Sequence, residues 1–261
     1  MMSASHSLRI TLVGGPTAVL DYGGMRFITD PTFDPPGSYE PRPGVTLSKT
    51  GGPALSPDEL GEVDVVLLSH DHHKDNLDDS GREFLQRASR VLTTTSGAER
   101  LGPVATALPN WTSIEVGGAD SVQIRVTGLP ARHGPNGTEH LVGEVTGFLL
   151  TAENLPSVYV SGDNASLDVV RGITDRLGPI DIAVLFAGGA QMPYLGEAYL
   201  TLSSRDAAQA AQLLGARAVV PLHYADWTHF SEGVESLREA FAAADIGERL
   251  LTPSPGRTIS V

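Results

Sequence analysis

The feature that most constrains this chain is the stretch Ser69-His70-Asp71-His72-His73-Lys74-Asp75-Asn76-Leu77-Asp78, which follows directly on Val63-Asp64-Val65-Val66-Leu67-Leu68. The second stretch is short, apolar and rich in β-branched residues, the texture of a buried strand. A hydrophobic strand therefore ends where imidazoles and carboxylates crowd the next loop. Those two groups suit zinc and neighbouring divalent ions. In open α/β architectures ligands bind beyond the carboxyl ends of the strands. A metal site at the tip of this strand is the first expectation.

The same arrangement recurs along the chain. His133 stands in a Gly/Pro-flanked loop after Val126, Asp163 in Ser161-Gly162-Asp163 after Val160, and His223 directly after Leu222. Four strand tips carry a metal-competent group in a chain with only eight histidines, so loops at one sheet edge are expected to converge. Neutral imidazoles give donors without excess charge, and one carboxylate can bridge two cations. A zinc site with an open position lowers the pKa of a bound water to about 7. That provides a nucleophile with no serine or cysteine.

The texture around these tips sets the architecture. Residues 9–13, 18–20 and 26–29 read as early strands, the last two joined through Gly23-Gly24 as a hairpin. Residues 31–58 are rich in Pro, Gly and Ser without periodicity and read as a long functional loop. Residues 81–88 read as a short helix, and 91–95, 113–116, 121–127, 147–152 and 157–160 as strands, with Gly117-Gly118 as a turn. Strands and helices then alternate. Helical stripes span 166–177 and 203–214, the latter opening with a Ser203/Asp206 capping box and stopping at Gly215. Apolar strands span 180–186 and 218–222. A last helix carries Val234, Leu237, Phe241 and Ala244, and a short strand near 249–251 closes the chain. Meanders followed by βα units imply two packed sheets with helices outside.

In combination, Thr29-Asp30-Pro31, Ser69-His70-Asp71-His72, the isolated His133, Ser161-Gly162-Asp163 and Leu222-His223-Tyr224 resemble the metallo-β-lactamase-fold metal-dependent hydrolases. The nearest flavour is the branch related to L-ascorbate-6-phosphate lactonase. The resemblance runs from about Ile10 to about Phe230. It implies an α/β fold, a four-layer αβ/βα sandwich of two mixed sheets, as a single domain over residues 1–261. By that resemblance His70, His72 and His133 hold a first metal, Asp163 bridges, His223 holds a second, and Asp30 supports a ligand imidazole from behind.

The family pattern is His-x-His-x-Asp-His, and this chain departs from it. Read without a gap, Lys74 falls on the Asp and Asp75 on the following His. Read with one inserted residue, Asp75 takes the Asp place and Asn76 the His place. The inserted reading is preferred, because a lysine ammonium repels a cation. Asp75 is then a second-site ligand or general base, and Asn76 a weaker neutral donor. The second site is expected to be weak, filled by a harder ion such as Mn²⁺, or empty. His73 is the odd residue of the loop and is read as facing outward. His229, in Trp227-Thr228-His229-Phe230, is a candidate for substrate contact and catalysis.

The expected activity is hydrolysis of a small-molecule ester, lactone, amide or phosphoester by metal-activated water, with one or two Zn²⁺ ions and Asp75 orienting or deprotonating the water. The competing class is a non-catalytic metal- or ligand-binding module whose second site is degraded. A formal charge of −13 disfavours nucleic acid and anionic membrane as partners. It also counts against a nuclease of the same fold, and no extra domain suits flavin-coupled redox chemistry. The chain has no cysteine, which excludes disulfides and thiolate ligands. With no signal-peptide core and no spanning segment, a cytoplasmic protein is expected, and a homo-oligomer is weakly favoured.

Overall fold

The computed structural model describes residues 8–117 and 122–261. The first strands are β1 (Arg9–Gly14), β2 (Thr17–Tyr22), β3 (Met25–Thr29), β4 (Gly37–Arg42), β5 (Val45–Lys49), β6 (Val65–Leu67), β7 (Arg90–Thr93) and β8 (Ala105–Ala107). They are followed by β9 (Ser113–Val116), β10 (Ile124–Pro130), β11 (Thr146–Ala152), β12 (Val158–Val160), β13 (Ile182–Phe186), β14 (Ala218–Leu222) and β15 (Thr258–Ser260). The helices are α1 (Asp79–Phe84), α2 (Thr95–Leu101), α3 (Glu139–Val142), α4 (Leu167–Leu177), α5 (Ser204–Leu214) and α6 (Val234–Ala243).

Among the described residues, one sheet has the order β15-β1-β2-β3-β6-β7-β8 and the other β14-β13-β12-β11-β10-β9. Both are mixed. β1, β2 and β3 are antiparallel neighbours, whereas β3, β6, β7 and β8 run parallel. In the second sheet β9 to β12 are antiparallel, and β12, β13 and β14 run parallel.

Alternating side chains put one face of each sheet inward. Ile10, Leu20, Phe27 and Leu67 meet Val126, Phe148, Val160 and Phe186 in a core between the sheets. The outer face of the second sheet is covered by α4, α5 and α6 through Val170, Ile173, Leu214, Leu237 and Phe241. Each such side chain contributes roughly 1.5–3 kcal/mol by leaving water. Phe84 and Leu85 cover Ile28, Val66 and Val91 on the outside of the first sheet. The result is the expected four-layer αβ/βα sandwich.

The helix boundaries follow local chemistry. Ser166 and Ser203 cap α4 and α5 by accepting from Val169 N and Asp206 N, and Gly215 ends α5 in the left-handed conformation. Such a cap is worth about 1 kcal/mol. α1 starts at Asp79, and residues 85–87 of the expected helix wind as a 3₁₀ turn.

Several sequence expectations need correction. The 31–58 segment is not irregular throughout: β4 and β5 pair within it as a separate hairpin, turning at Pro43-Gly44. Its alternation is diluted by Gly, Pro and Ser, and its cohesion comes from tertiary partners. Lys49 Nζ meets Asp78 at 2.9 Å with both side chains buried, and the Tyr39 ring packs on Trp227 at 5.7 Å. Helix α2 and strand β8 went unread; Thr94 caps α2 by accepting from Gly97 N. The strand expected at 249–251 is a 3₁₀ turn at Gly247–Arg249 with one isolated bridge from Leu250 to Val219. The closing strand is β15, antiparallel on β1. The turn at Gly117-Gly118 and the strand start at Ser121 extend into 118–121, outside the described residues. Among the described residues no helix is long and apolar enough to cross a membrane.

Candidate metal centre

The parallel strands β3, β6, β12 and β14 end at the site, and each delivers polar groups just beyond its last residue. Asp30 follows β3, Ser69 and His70 follow β6, Asp163 follows β12 and His223 follows β14. His223 sits in the left-handed region at φ +57°, a conformation that costs a non-glycine residue energy and clusters at functional sites. It is held there by its N–H, which donates to Gly15 O at 2.8 Å. Gly188 lies against it: a Cβ at that position would fall 2.3 Å from His223 O. Only glycine permits that approach.

Two groups of donors form. In the first, one ligand atom from each of His70, His73, His133 and Asp163 lies within 4.8 Å of the others. His73 Nδ1 faces His70 Nε2 at 3.0 Å and His133 Nε2 at 3.3 Å. Asp163 Oδ2 stands 3.9 Å from His70 Nε2 and 3.7 Å from His133 Nε2. In the second, Asp75, His223 and His229 come together on the same criterion. Asp75 Oδ2 meets His229 Nε2 at 2.9 Å and His223 Nε2 at 3.3 Å. Asp163 reaches this group too, with Oδ1 at 3.5 Å from His223 Nε2. Its two oxygens thus face the two groups separately.

The residues behind the first group fix its tautomers. His133 Nδ1 donates to Leu200 O at 2.7 Å, which leaves a lone pair on Nε2. Ser69 Oγ donates to Asp30 Oδ2 at 2.5 Å and so accepts from His70 Nδ1 at 2.9 Å. His70 Nε2 is therefore also a lone pair. Two lone pairs converging on a third imidazole nitrogen is poor hydrogen bonding and good ligation. Burial keeps these rings neutral. It lowers His73 to about 4 and His133 to about 3, and holds His70 well below the ordinary imidazole range.

The carboxylates point the same way. Burial, then the charges of Asp75 and Asp30, push Asp163 well above the usual carboxyl range. Burial also raises Asp75, but His229 and His223 outweigh it and hold Asp75 well below that range. Two carboxyls this deep, beside lone-pair imidazoles, call for positive charge between them. Both ring nitrogens of His223 are buried without a hydrogen-bond partner. The residues present thus fit one or two divalent cations.

The structure places the sequence candidates as follows. His70, His133 and Asp163 converge in the first group, and Asp75, His223 and His229 in the second. His72 is not brought to either. Its partly exposed ring lies 3.8 Å from Asp71 and 3.5 Å from Arg100, against Gly143. His73, expected to face outward, takes the place in the first group instead. A signal for this was present. The inserted residue needed to put Asp75 in the Asp position, moved ahead of the second ligand histidine, makes that histidine His73. Asp30 supports a ligand imidazole through the Ser69 hydroxyl rather than by direct contact. Asn76 is turned away from the role of oxygen donor, with Nδ2 donating to Asp30 Oδ2 at 2.9 Å and Asp163 Oδ1 at 3.2 Å.

Both groups open into one cavity of ≈180 Å³. Much of its remaining wall is apolar: Val45 and Leu47 from β5, Leu141 from α3, and Met192, Tyr194 and Leu200 from the 190–200 segment. Arg42 and Lys74 also line it, and both are engaged. Arg42 bonds Leu141 O and lies 4.9 Å over the Tyr194 ring, while Lys74 pairs with Asp79.

The beta-lactamase superfamily domain matches residues 25–224, and the chain belongs to that superfamily. It is 28% identical over 195 residues to a UPF0173 metal-dependent hydrolase of Pyrococcus horikoshii, covering 72% of this chain and 80% of that one. Among solved structures it is similar to the isothiocyanate hydrolase from Delia radicum gut bacteria, with a TM-score of 0.81, 20% identity, and coverage of 97% and 100%. It is likewise similar to a possible metal-dependent hydrolase of Veillonella parvula, with a TM-score of 0.82, 20% identity, and coverage of 98% and 100%. These structures share the fold.

Proposed function

We propose that the protein is a metal-dependent hydrolase of small molecules, acting on an ester, lactone, amide or phosphoester, with Zn²⁺ as the favoured ion and Mn²⁺ as an alternative. The observation that carries this reading is the convergence of His70, His73, His133 and Asp163, the last three lining a small cavity, with the lone pairs of His70 and His133 locked inward. These four residues would hold the ion. A divalent cation held there supplies a Lewis acid and lowers the pKa of a bound water to about 7.

The chain's own residues supply the rest. Asp75, kept ionised by His229 and His223, lines the cavity beside the first group and is placed to orient an attacking water or take its proton. His133 is held by a main-chain carbonyl, so the donor on that side does not swing when substrate enters. The apolar wall excludes water from the substrate's other side and strengthens the electrostatics of the reacting groups. With both lining cations engaged and the rest of the wall mostly apolar, carbonyl substrates with an apolar substituent fit better than phosphoesters. A chain of formal charge −13 suits a small-molecule partner rather than a polyanion.

The test is elemental analysis of chelator-free protein beside a hydrolysis panel of esters, lactones, amides, phosphodiesters and an aryl isothiocyanate. Wild type is expected to carry metal and turn over at least one carbonyl class, and His70→Ala and His73→Ala to lose both. Metal without turnover across the panel would favour the binding-module alternative. Protein that takes up no metal would overturn the reading.

A further inference from the structure

We infer that His229 supplies, to a second divalent-cation position, the imidazole that the chain lacks at residue 76. The inference rests on the first group being a metal centre, as proposed above. In the family pattern the residue after the motif aspartate is histidine, and here it is Asn76. The geometry shows why Asn76 cannot serve. Its nearest acceptors are the carboxylates of Asp30 and Asp163, so the amide turns its N–H groups toward them. Hydrogens, not a lone pair, point at the site, and Oδ1 is left buried without a partner on the other side.

An imidazole comes instead from a distant segment. His229 Nε2 lies 2.9 Å from Asp75 Oδ2, and the same oxygen lies 3.3 Å from His223 Nε2. Two imidazoles and the Asp75 carboxylate thus come together, and Asp163 Oδ1 stands 3.5 Å from the His223 ring nitrogen beside them. This nitrogen and oxygen set suits zinc, manganese, iron or cobalt. His223 has no hydrogen-bond partner at either ring nitrogen, nor His229 at Nδ1. A hydrogen bond from His229 to Asp75 alone would leave His223 Nε2 without a partner; a cation between the Nε2 atoms accounts for it.

The segment that brings His229 is fastened at several points. Thr228 N donates to Ser48 O at 3.0 Å, and Gln191 N donates to His229 O at 3.0 Å. Trp227 forms a bridge with Lys49, and Phe230 forms one with Ala190. Phe230 also packs its ring on His223 at 4.6 Å and on His229 at 4.5 Å. The second position is therefore built partly by the β4–β5 hairpin, through the chain segment it holds.

The experiment loads purified protein with Zn²⁺ and counts ions per chain by elemental mass spectrometry, with the visible absorption of the Co²⁺-loaded protein as a second readout. Four variants are compared with wild type: His229→Ala, Asn76→His, the double variant, and His73→Ala. Wild type is expected to hold close to two ions, His229→Ala one, and the double variant two again, with the matching Co²⁺ bands lost and restored. Restoration also shows that the loss was not a failure to fold. An ion count and Co²⁺ spectrum unchanged in His229→Ala would overturn the inference, as would a wild type that holds one ion only. Failure of the underlying reading looks different: His73→Ala would then retain the wild-type content, or wild type would hold none.

Discussion

The two donor groups sit side by side and share Asp163, yet they are built in opposite ways. In the first, the imidazoles of His70 and His133 are locked from behind, by Ser69 with Asp30 and by the Leu200 carbonyl. In the second, His223 has no such partner, and His229 arrives on a segment tied to the β4–β5 hairpin. The first group is oriented from behind its imidazoles; in the second, His223 comes from the tip of β14 while His229 depends on the segment that the hairpin holds. Rigid strand tips favour affinity, and a loop-borne donor favours adjustability.

That contrast can be broken at the residue both groups share. Asp163→Ala is expected to empty both positions, with a loss of activity beyond the 10–100-fold typical of outer partners, read by ion content and kcat/KM. If only one position empties, the two groups do not share this carboxylate. Next comes the hairpin. Lys49→Met leaves the buried Asp78 without its cation, held only by the main-chain N–H groups of Phe33, Asp34 and Gly81, a change that costs about 3–5 kcal/mol at most. For a domain of this size that is a fall in Tm of roughly 6–20 °C. Below that Tm, binding at the second position is expected to weaken more than at the first, and equal weakening at both would erase the distinction. Ser69→Ala cuts the link from Asp30 to His70 and is expected to lower affinity at the first position about 10–100-fold while sparing the second, measured by competition with a chelator. The smallest effect is expected for His72→Ala. Its ion content stays at the wild-type value, and kcat/KM moves by less than about tenfold, or ~1.4 kcal/mol, because His72 lines the cavity without joining either group.

How much of this was legible in the sequence follows from how local each signal is. The strand tips carrying His70, Asp163 and His223 could be read because a hydrophobic run and its polar end are adjacent in the chain. The capped helices α4 and α5 were legible for the same reason: Ser166 and Ser203 announce them within a few residues. The hairpin was not, because Tyr39 and Lys49 find their partners at Trp227 and Asp78, far along the chain. The choice between His72 and His73 turned on where one extra residue is accommodated. Spacing alone leaves that open, and it is decided by which ring meets His133 across sixty residues of chain. The departure at Asn76 is visible in the motif itself, but His229, the imidazole that meets Asp75, lies 154 positions further along the chain.

One contact described above bears on how this site can change over time. His133 is oriented by the carbonyl of Leu200, and Arg42 is anchored by the carbonyl of Leu141. Both wall residues make these bonds through their main chains and also line the cavity. A substitution at either position reshapes the cavity while the orienting bond persists, since every amino acid carries that oxygen. Selectivity is thus free to drift, or to be redesigned, without dismantling the catalyst beneath it.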